Sequence, residues 1–165
     1  LEVISIRDNV DTRLKKLDAG EYDALVLAEA GINRLGIRRK DICVLPIDIC
    51  LPAPGQGALG IEMLERNPNK NILDRLYDRD SHLCVETERM VSAGLGADCS
   101  LPVAALASLT NGIISLRALV GGVDGENIIR VESSNSNPEK VVSEVLEKLY
   151  AKGAQSILDG FSEKN

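Results

Sequence analysis

The segment Leu51-Pro52-Ala53-Pro54-Gly55-Gln56-Gly57 divides the chain into two parts that follow different folding rules. Proline can neither donate to a ladder nor continue a helix, and glycine opens backbone conformations closed to other residues, so no strand or helix runs through this stretch. Before it, apolar runs and helical periodicities come in the order βαβα, the pattern of a parallel sheet. After it come helices and then three short strand-like runs joined by tight turns, the pattern of an antiparallel sheet. Such punctuation marks a domain boundary.

The first part begins as a strand already under way. Residues 3–6 alternate, and Arg7-Asp8-Asn9-Val10-Asp11-Thr12-Arg13-Leu14 turns into a helix with Val10, Leu14 and Leu17 on one face. Asn9 or Asp11 is the candidate N-cap, and Gly20 ends the helix. A strand leading directly into a helix N-terminus is an anion-binding geometry, because unpaired N–H groups and the positive end of the helix dipole face the turn. Arg7 and Arg13 add two planar guanidinium forks suited to carboxylates. By residue type alone the reading as solvated surface charges is the favoured one. Residues 22–28 form a buried-strand run, residues 29–36 a short helix stopped by glycine, and residues 42–45 a short strand before Pro46.

Past the crossing, residues 58–63 alternate as a strand, one helix runs from about Asn67 to Tyr77, and another from Asp80-Ser81 to about Ala93. Strands are expected over residues 103–109, 113–120 and 127–132, with turns at Thr110-Asn111-Gly112 and Val123-Asp124-Gly125-Glu126. After a polar stretch, Pro138 opens a helix with Val141, Val142, Val145, Leu146 and Leu149 as its apolar stripe, closed by Gly153. Gly55-Gln56-Gly57-Ala58-Leu59-Gly60 fits a nucleotide-binding glycine pattern but precedes a strand, the wrong context.

A net charge of −6 over 165 residues, with no basic stripe, argues against a nucleic-acid partner. No apolar run has the length of a membrane span, and the first residues do not read as a signal peptide, so a cytoplasmic location is expected. Cys43, Cys50, Cys84 and Cys99 have neither C-x-x-C spacing nor a histidine pattern, which makes them expected thiols and argues against a metal site. Cys99 differs from the other three. In Gly94-Leu95-Gly96-Ala97-Asp98-Cys99-Ser100-Leu101-Pro102-Val103, glycines free the backbone and proline fixes the exit, so the thiol is presented on a loop.

That loop resembles the cofactor-attachment loop of the hydroxymethylbilane synthase (porphobilinogen deaminase) family, whose cysteine carries a dipyrromethane cofactor through a thioether. The resemblance runs from Ile4 to about Leu158 and covers the C-terminal half of the family's proteins. Residues 7–13 are similar to its Arg-Gly-Asn-Val-x-Thr-Arg motif, with Asp8 in place of glycine, and residues 51–58 to its Leu-Pro-Ala-x-Gly-Gln-Gly-Ala segment. By this resemblance Cys99, Arg7, Asn9, Arg13, Leu27, Ala28 and Gln56 bind the cofactor, and Arg13 and Arg34 the carboxylates of the substrate porphobilinogen. Asp8 puts a bulkier, negative side chain beside a site meant for carboxylates.

The fold the resemblance implies is α/β. A partial parallel sheet (residues 1–50, periplasmic-binding-protein-like, half of a second domain) leads to a hinge and return strand (51–75), then to a cofactor-carrying α+β third domain (76–165) with a three-stranded antiparallel sheet and helices on one face. The implied reaction is a transferase step of tetrapyrrole (porphyrin and heme) biosynthesis, condensing four porphobilinogen units with loss of ammonia into hydroxymethylbilane. The family's catalytic aspartate lies in a Lys-Asp motif of a first domain with no counterpart here, so no catalytic residue is expected in this chain and negligible turnover from it alone. The rival reading is a non-catalytic folded fragment or interaction module that needs a separate N-terminal chain, or that self-associates.

Overall fold

The computed structural model describes residues 1–96, 101–122, 125 and 127–162, and falls into two units, Leu1–Leu45 and Pro46–Asn165. In the first unit, Asn9 fixes where the chain becomes helical. Its Oδ1 accepts from the Thr12 N–H at 2.9 Å and starts α1 (Val10–Asp18). The helix stops at Gly20, at φ 75°, where Gly20 N–H donates to the Leu17 carbonyl at 2.9 Å and Glu21 N–H to the Lys16 carbonyl at 3.0 Å. A second helix, α2 (Glu29–Arg34), closes the same way on Gly36. The Arg39 guanidinium then joins Asp18 at 2.8 Å and Asp41 at 2.7 Å. This fork holds the Asp41 carboxyl down at about 2.

The expected strands of this unit do not form. Residues 3–6, 22–28 and 42–45 lie outside any ladder, and Val3 and Val26 are 95% and 79% exposed. The reason is geometric. A parallel strand needs hydrogen-bonded neighbours and cover on both faces, whereas here two helices of 9 and 6 residues bury one side chain, Ile32. The strand expected over residues 58–63 is likewise outside any ladder, with Leu59 exposed.

The second unit is organised by a ladder that local sequence does specify. After α3 (Asn71–Leu76) and α4 (Arg79–Gly94) come β1 (Val103–Thr110), β2 (Ile113–Val120) and β3 (Ile129–Asn135), antiparallel in the order β1-β2-β3. Asn111 at φ 52° and Gly112 at φ 77° make the tight β1–β2 turn, which two consecutive left-handed residues favour. The turn expected around residues 123–126 lies largely outside the described residues. Along β2, Ile114, Leu116, Ala118 and Val120 face one side and are buried under α4 and α5 (Pro138–Ala151). Val141, Val142, Val145 and Leu149 of α5 join that core, as the helical stripe predicts, together with Ala154 and Leu158 of α6 (Ala154–Ser162), a helix the sequence reading did not foresee.

Helix α4 begins at Arg79, one residue earlier than expected, because Asp78 and not Asp80 caps it: Asp78 Oδ1 accepts from the Ser81 N–H at 2.7 Å. Its last residue, Gly94, is a packing glycine and not a loop glycine: a Cβ there would collide with the Leu146 methyls of α5, and its carbonyl accepts from the Tyr150 hydroxyl at 2.9 Å. Strand β3 runs on to Asn135 through residues expected to be a polar linker. Glu144 of α5 accepts from Ser133 and, at 3.0 Å, from Asn135, while Lys148 and Lys152 donate to the outward carbonyls of Glu132 at 2.7 Å and Arg130 at 3.0 Å. Side chains of α5 and of its C-cap residue Lys152 thereby occupy the open edge of the sheet.

Candidate functional site

In the first unit the residues expected to hold carboxylates cluster by sequence at the start of α1. Asn9 is committed to the Thr12 amide. Arg13 donates from Nε to the Asp8 carbonyl at 2.8 Å, which leaves both of its Nη groups uncommitted. Arg7 and Arg34 are exposed and have no side-chain partner among the described residues. Free guanidinium forks beside the N-terminus of a nine-residue helix are the donor chemistry that carboxylates require. No contact joins Arg34 to Arg7 or Arg13, so the structure brings together Asp8, Asn9 and Arg13 but not the full set. Leu27 is half-buried, and Ala28 is exposed at the N-cap of α2, with no side-chain capping bond.

Two residues of this region carry more than their sequence signal. Asp8 sits at φ 136°, outside the conformations that residues with a Cβ favour. Its Oδ2 lies 2.8 Å from Lys16 Nζ. The hydrogen bond and charge of Asp8 raise the Lys16 ammonium above its usual range. Lys16 was not expected in the site, and its distance of eight residues from Asp8 carries no sequence signal for the pair.

In the second unit Gln56 is exposed on the turn closed by its own N–H to the Ala53 carbonyl at 3.0 Å, between Gly55 at φ 75° and Gly57 at φ 86°. That turn is anchored from below. Glu88 of α4 is 5% exposed, and its Oε2 accepts from Gly55 N–H at 2.7 Å while Oε1 accepts from Ala107 N–H of β1 at 2.8 Å. Ala105 N–H donates to the Pro52 carbonyl at 3.1 Å, so the crossing segment is stitched to the edge of β1 at two points. Sequence reasoning missed Glu88 because a glutamate is normally a solvated helix residue. Its position between Cys84 and Val91 on the apolar stripe was the available clue.

Cys99, the expected attachment point, lies outside the described residues. The other cysteines are free: Cys43 and Cys50 are exposed, and Cys84 is half-buried, its thiol pushed up chiefly by burial and further by the Glu88 charge. A cavity of about 500 Å³ lies on the second unit, lined among others by Arg117, Arg130, Lys148 and Lys152. It contains none of the expected site residues. Arg117 is paired with Asp48 at 2.9 Å, and the two lysines are the ones that cap β3. No group of three or more metal-ligating side chains occurs among the described residues, and no described helix is long and apolar enough to cross a membrane.

Residues 1–72 match the family model for the dipyrromethane cofactor binding domain of porphobilinogen deaminase, and residues 82–151 match the model for the C-terminal domain of the same protein. Among curated relatives, the porphobilinogen deaminase of Acidithiobacillus ferrooxidans (strain ATCC 53993 / BNL-5-31) is 42% identical over 160 residues, which is 96% of this chain and 52% of the relative. That of Thiobacillus denitrificans is 42% identical over 162 residues (96% and 53%), and that of Listeria monocytogenes serotype 4a is 38% identical over 160 (93% and 51%). The chain spans about half the length of the curated relatives it matches.

Proposed function

Since the chain belongs to the porphobilinogen deaminase family, we propose that it is part of a hydroxymethylbilane synthase, a transferase that condenses four porphobilinogen units with loss of ammonia into a linear tetrapyrrole. The observation that carries this reading is the pair of family matches in one chain, the cofactor-binding domain followed by the C-terminal domain, with Cys99 inside the second match. The dipyrromethane, when bound, supplies the anchored pyrrole to which further units add.

The residues proposed for this work divide by chemistry. Cys99 is the tether: its sulfur forms a carbon–sulfur bond as the aminomethyl carbon loses ammonia, and the thiol proton leaves with the amine. A thioether is stable to water, which an ester or imine in that place would not be. Arg7, Arg13 and Arg34 hold carboxylates by their guanidinium forks, with the N-terminus of α1 adding its dipole. Asn9 sets that helix terminus, Leu27 and Ala28 line the cleft, and Gln56 faces the cofactor from the hinge, held there by the Glu88 bond to Gly55. Free thiols at Cys43, Cys50 and Cys84 accord with a cytoplasmic setting.

Guanidinium, amide and aliphatic side chains are not the residue types that protonate a leaving amine, and a general acid contributes about a hundredfold to ten-thousandfold. On this reading the chain alone has negligible turnover. We assign the acid to a polypeptide equivalent to the half of the relatives that this chain does not span, supplied in the same or a separate molecule. Intact mass tests the reading. After incubation with porphobilinogen and the N-terminal half of a relative, the chain gains the mass of a dipyrromethane or a longer pyrrole chain, and Cys99→Ser gains nothing. An unmodified wild-type mass under those conditions overturns it.

A further inference from the structure

We propose that the cavity between residues 47–51 and strands β2 and β3 of the second unit is a binding site for a compact oligophosphate. The proposal is independent of the reaction proposed above, since none of the residues assigned there to cofactor or substrate lines the cavity. Its volume is about 500 Å³, and its lining brings together Arg117, Arg130, Lys148 and Lys152, with Asp48 and Glu132 as the acidic side chains. Four cations against two carboxylates make a local excess of positive charge in a chain whose formal net charge is −6. Like charges repel, so what holds each cation matters. Three of the four are held by neutral oxygens. Lys148 Nζ donates to the Glu132 carbonyl at 2.7 Å and to Ser133 Oγ at 3.2 Å, Lys152 Nζ to the Arg130 carbonyl at 3.0 Å, and Arg130 Nη2 to the Ile49 carbonyl at 3.3 Å. Such acceptors fix where a cation sits and leave its charge intact.

Capping the β3 edge and complementing the C-terminal dipole of α5 account for the two lysines, but not for the two arginines gathered beside them. Arg117 alone of the four meets the lining carboxylates, Asp48 at 2.9 Å and Glu132 at 3.7 Å, and those side chains are 83% and 78% exposed. Exposed pairs of this kind contribute about 0–1 kcal/mol, so an entering anion can displace them. Glu144, a further carboxylate near Lys148, accepts from Ser133 and Asn135 and does not line the cavity. An ammonium has three donors, of which Lys148 has one left and Lys152 two. Both guanidinium groups are already engaged on one side. Point charges combined with partly engaged forks suit a tetrahedral phosphate, which takes donors from several directions, better than a planar carboxylate, which calls for a free fork. The volume is within the usual range of small-molecule sites, roughly 300–1,000 Å³.

The test titrates the whole chain with inorganic pyrophosphate at low ionic strength, by calorimetry and by the amide resonances of Arg117 and Arg130, with citrate as an anion of similar charge. Pyrophosphate should bind more tightly than citrate and shift those two amides, and its affinity should fall as salt is raised. Lys148→Gln/Lys152→Gln should weaken binding about tenfold, and Asp48→Asn, which removes a rim charge without touching the sheet edge, should tighten it about two- to five-fold. Should the lysine variant unfold, Asp48→Asn decides by itself, and an unchanged affinity there overturns the site. Equal binding by wild type and the folded lysine variant, or no binding at millimolar pyrophosphate, would leave these cations a role at the sheet edge and nothing more. Tighter binding of citrate than of pyrophosphate would overturn the assignment to phosphate.

Discussion

At the scale of single residues, Glu88 shows how a buried carboxylate can serve as a backbone adaptor. β1 is an edge strand, so the Ala107 N–H has no neighbouring strand to receive it, and Gly55 N–H sits in a turn that no ladder satisfies. One side chain answers both. Removing it leaves one buried and one half-buried donor without acceptors, a buried one costing about 1–3 kcal/mol and the other less. Glu88→Ala is therefore expected to destabilise the second unit by about 3 kcal/mol. Glu88→Gln, which offers one acceptor and turns an NH2 toward the other donor, should cost about 1–3 kcal/mol. Urea denaturation gives the energies, and amide exchange at Gly55 and Ala107 gives the site; a Glu88→Ala protein with unchanged exchange there would show that the two amides find other partners. Asp8 and Asn9 illustrate the two ends of legibility at this scale. Asn9 caps α1 as its residue type predicts, because capping is a local interaction. The conformation of Asp8 contradicts its residue type, and only its poor match to the resembling motif hinted at that.

At the scale of elements, the contacts between α4 and α5 turn on a glycine. A Cβ at position 94 would run into the methyls of Leu146, a half-buried side chain with some room to move. Alanine gains up to about 1 kcal/mol of helix propensity over glycine, and overpacking costs about 1–3 kcal/mol. Gly94→Ala should therefore be destabilising by about 1 kcal/mol, and the loss should vanish in a Leu146→Ala background. A double-mutant cycle by thermal unfolding measures this, and additive effects would mean the helices do not meet there. Elements whose partners are close in sequence were legible: β1 and β2 through Asn111-Gly112, and α5 through Pro138 and its apolar stripe. The end of β3 was not, because Ser133, Ser134 and Asn135 read as a linker until Glu144 and Ser115 supply their hydrogen bonds across the fold. Runs such as residues 22–28 were read correctly as apolar, but periodicity cannot provide the neighbouring strands that a parallel sheet needs.

At the scale of the whole molecule, the two units differ in what holds them. The second encloses a contiguous core from α4 through α6, in which Val91, Ile114, Leu116, Val120, Val141, Val145 and Leu149 are all fully buried. The first buries Ile32 and leaves Val3, Val26 and Val44 exposed. Local opening costs little where few apolar side chains are buried and backbone groups lack partners. Amides of residues 103–120 and 138–151 should therefore exchange slowest, near the global unfolding limit. Those of residues 1–45 outside α1 and α2, and of residues 58–64, should exchange within seconds to minutes, as is usual for backbone without ladder partners. Adding the N-terminal half of a relative should slow exchange at residues 3–6, 22–28 and 58–63, the apolar runs that carry strand pattern without a ladder. Hydrogen exchange read by mass spectrometry decides it. Equal protection of both units in a protein shown to be monomeric by sedimentation would mean that residues 1–63 close a sheet of their own, and the partner proposed for them would no longer be needed.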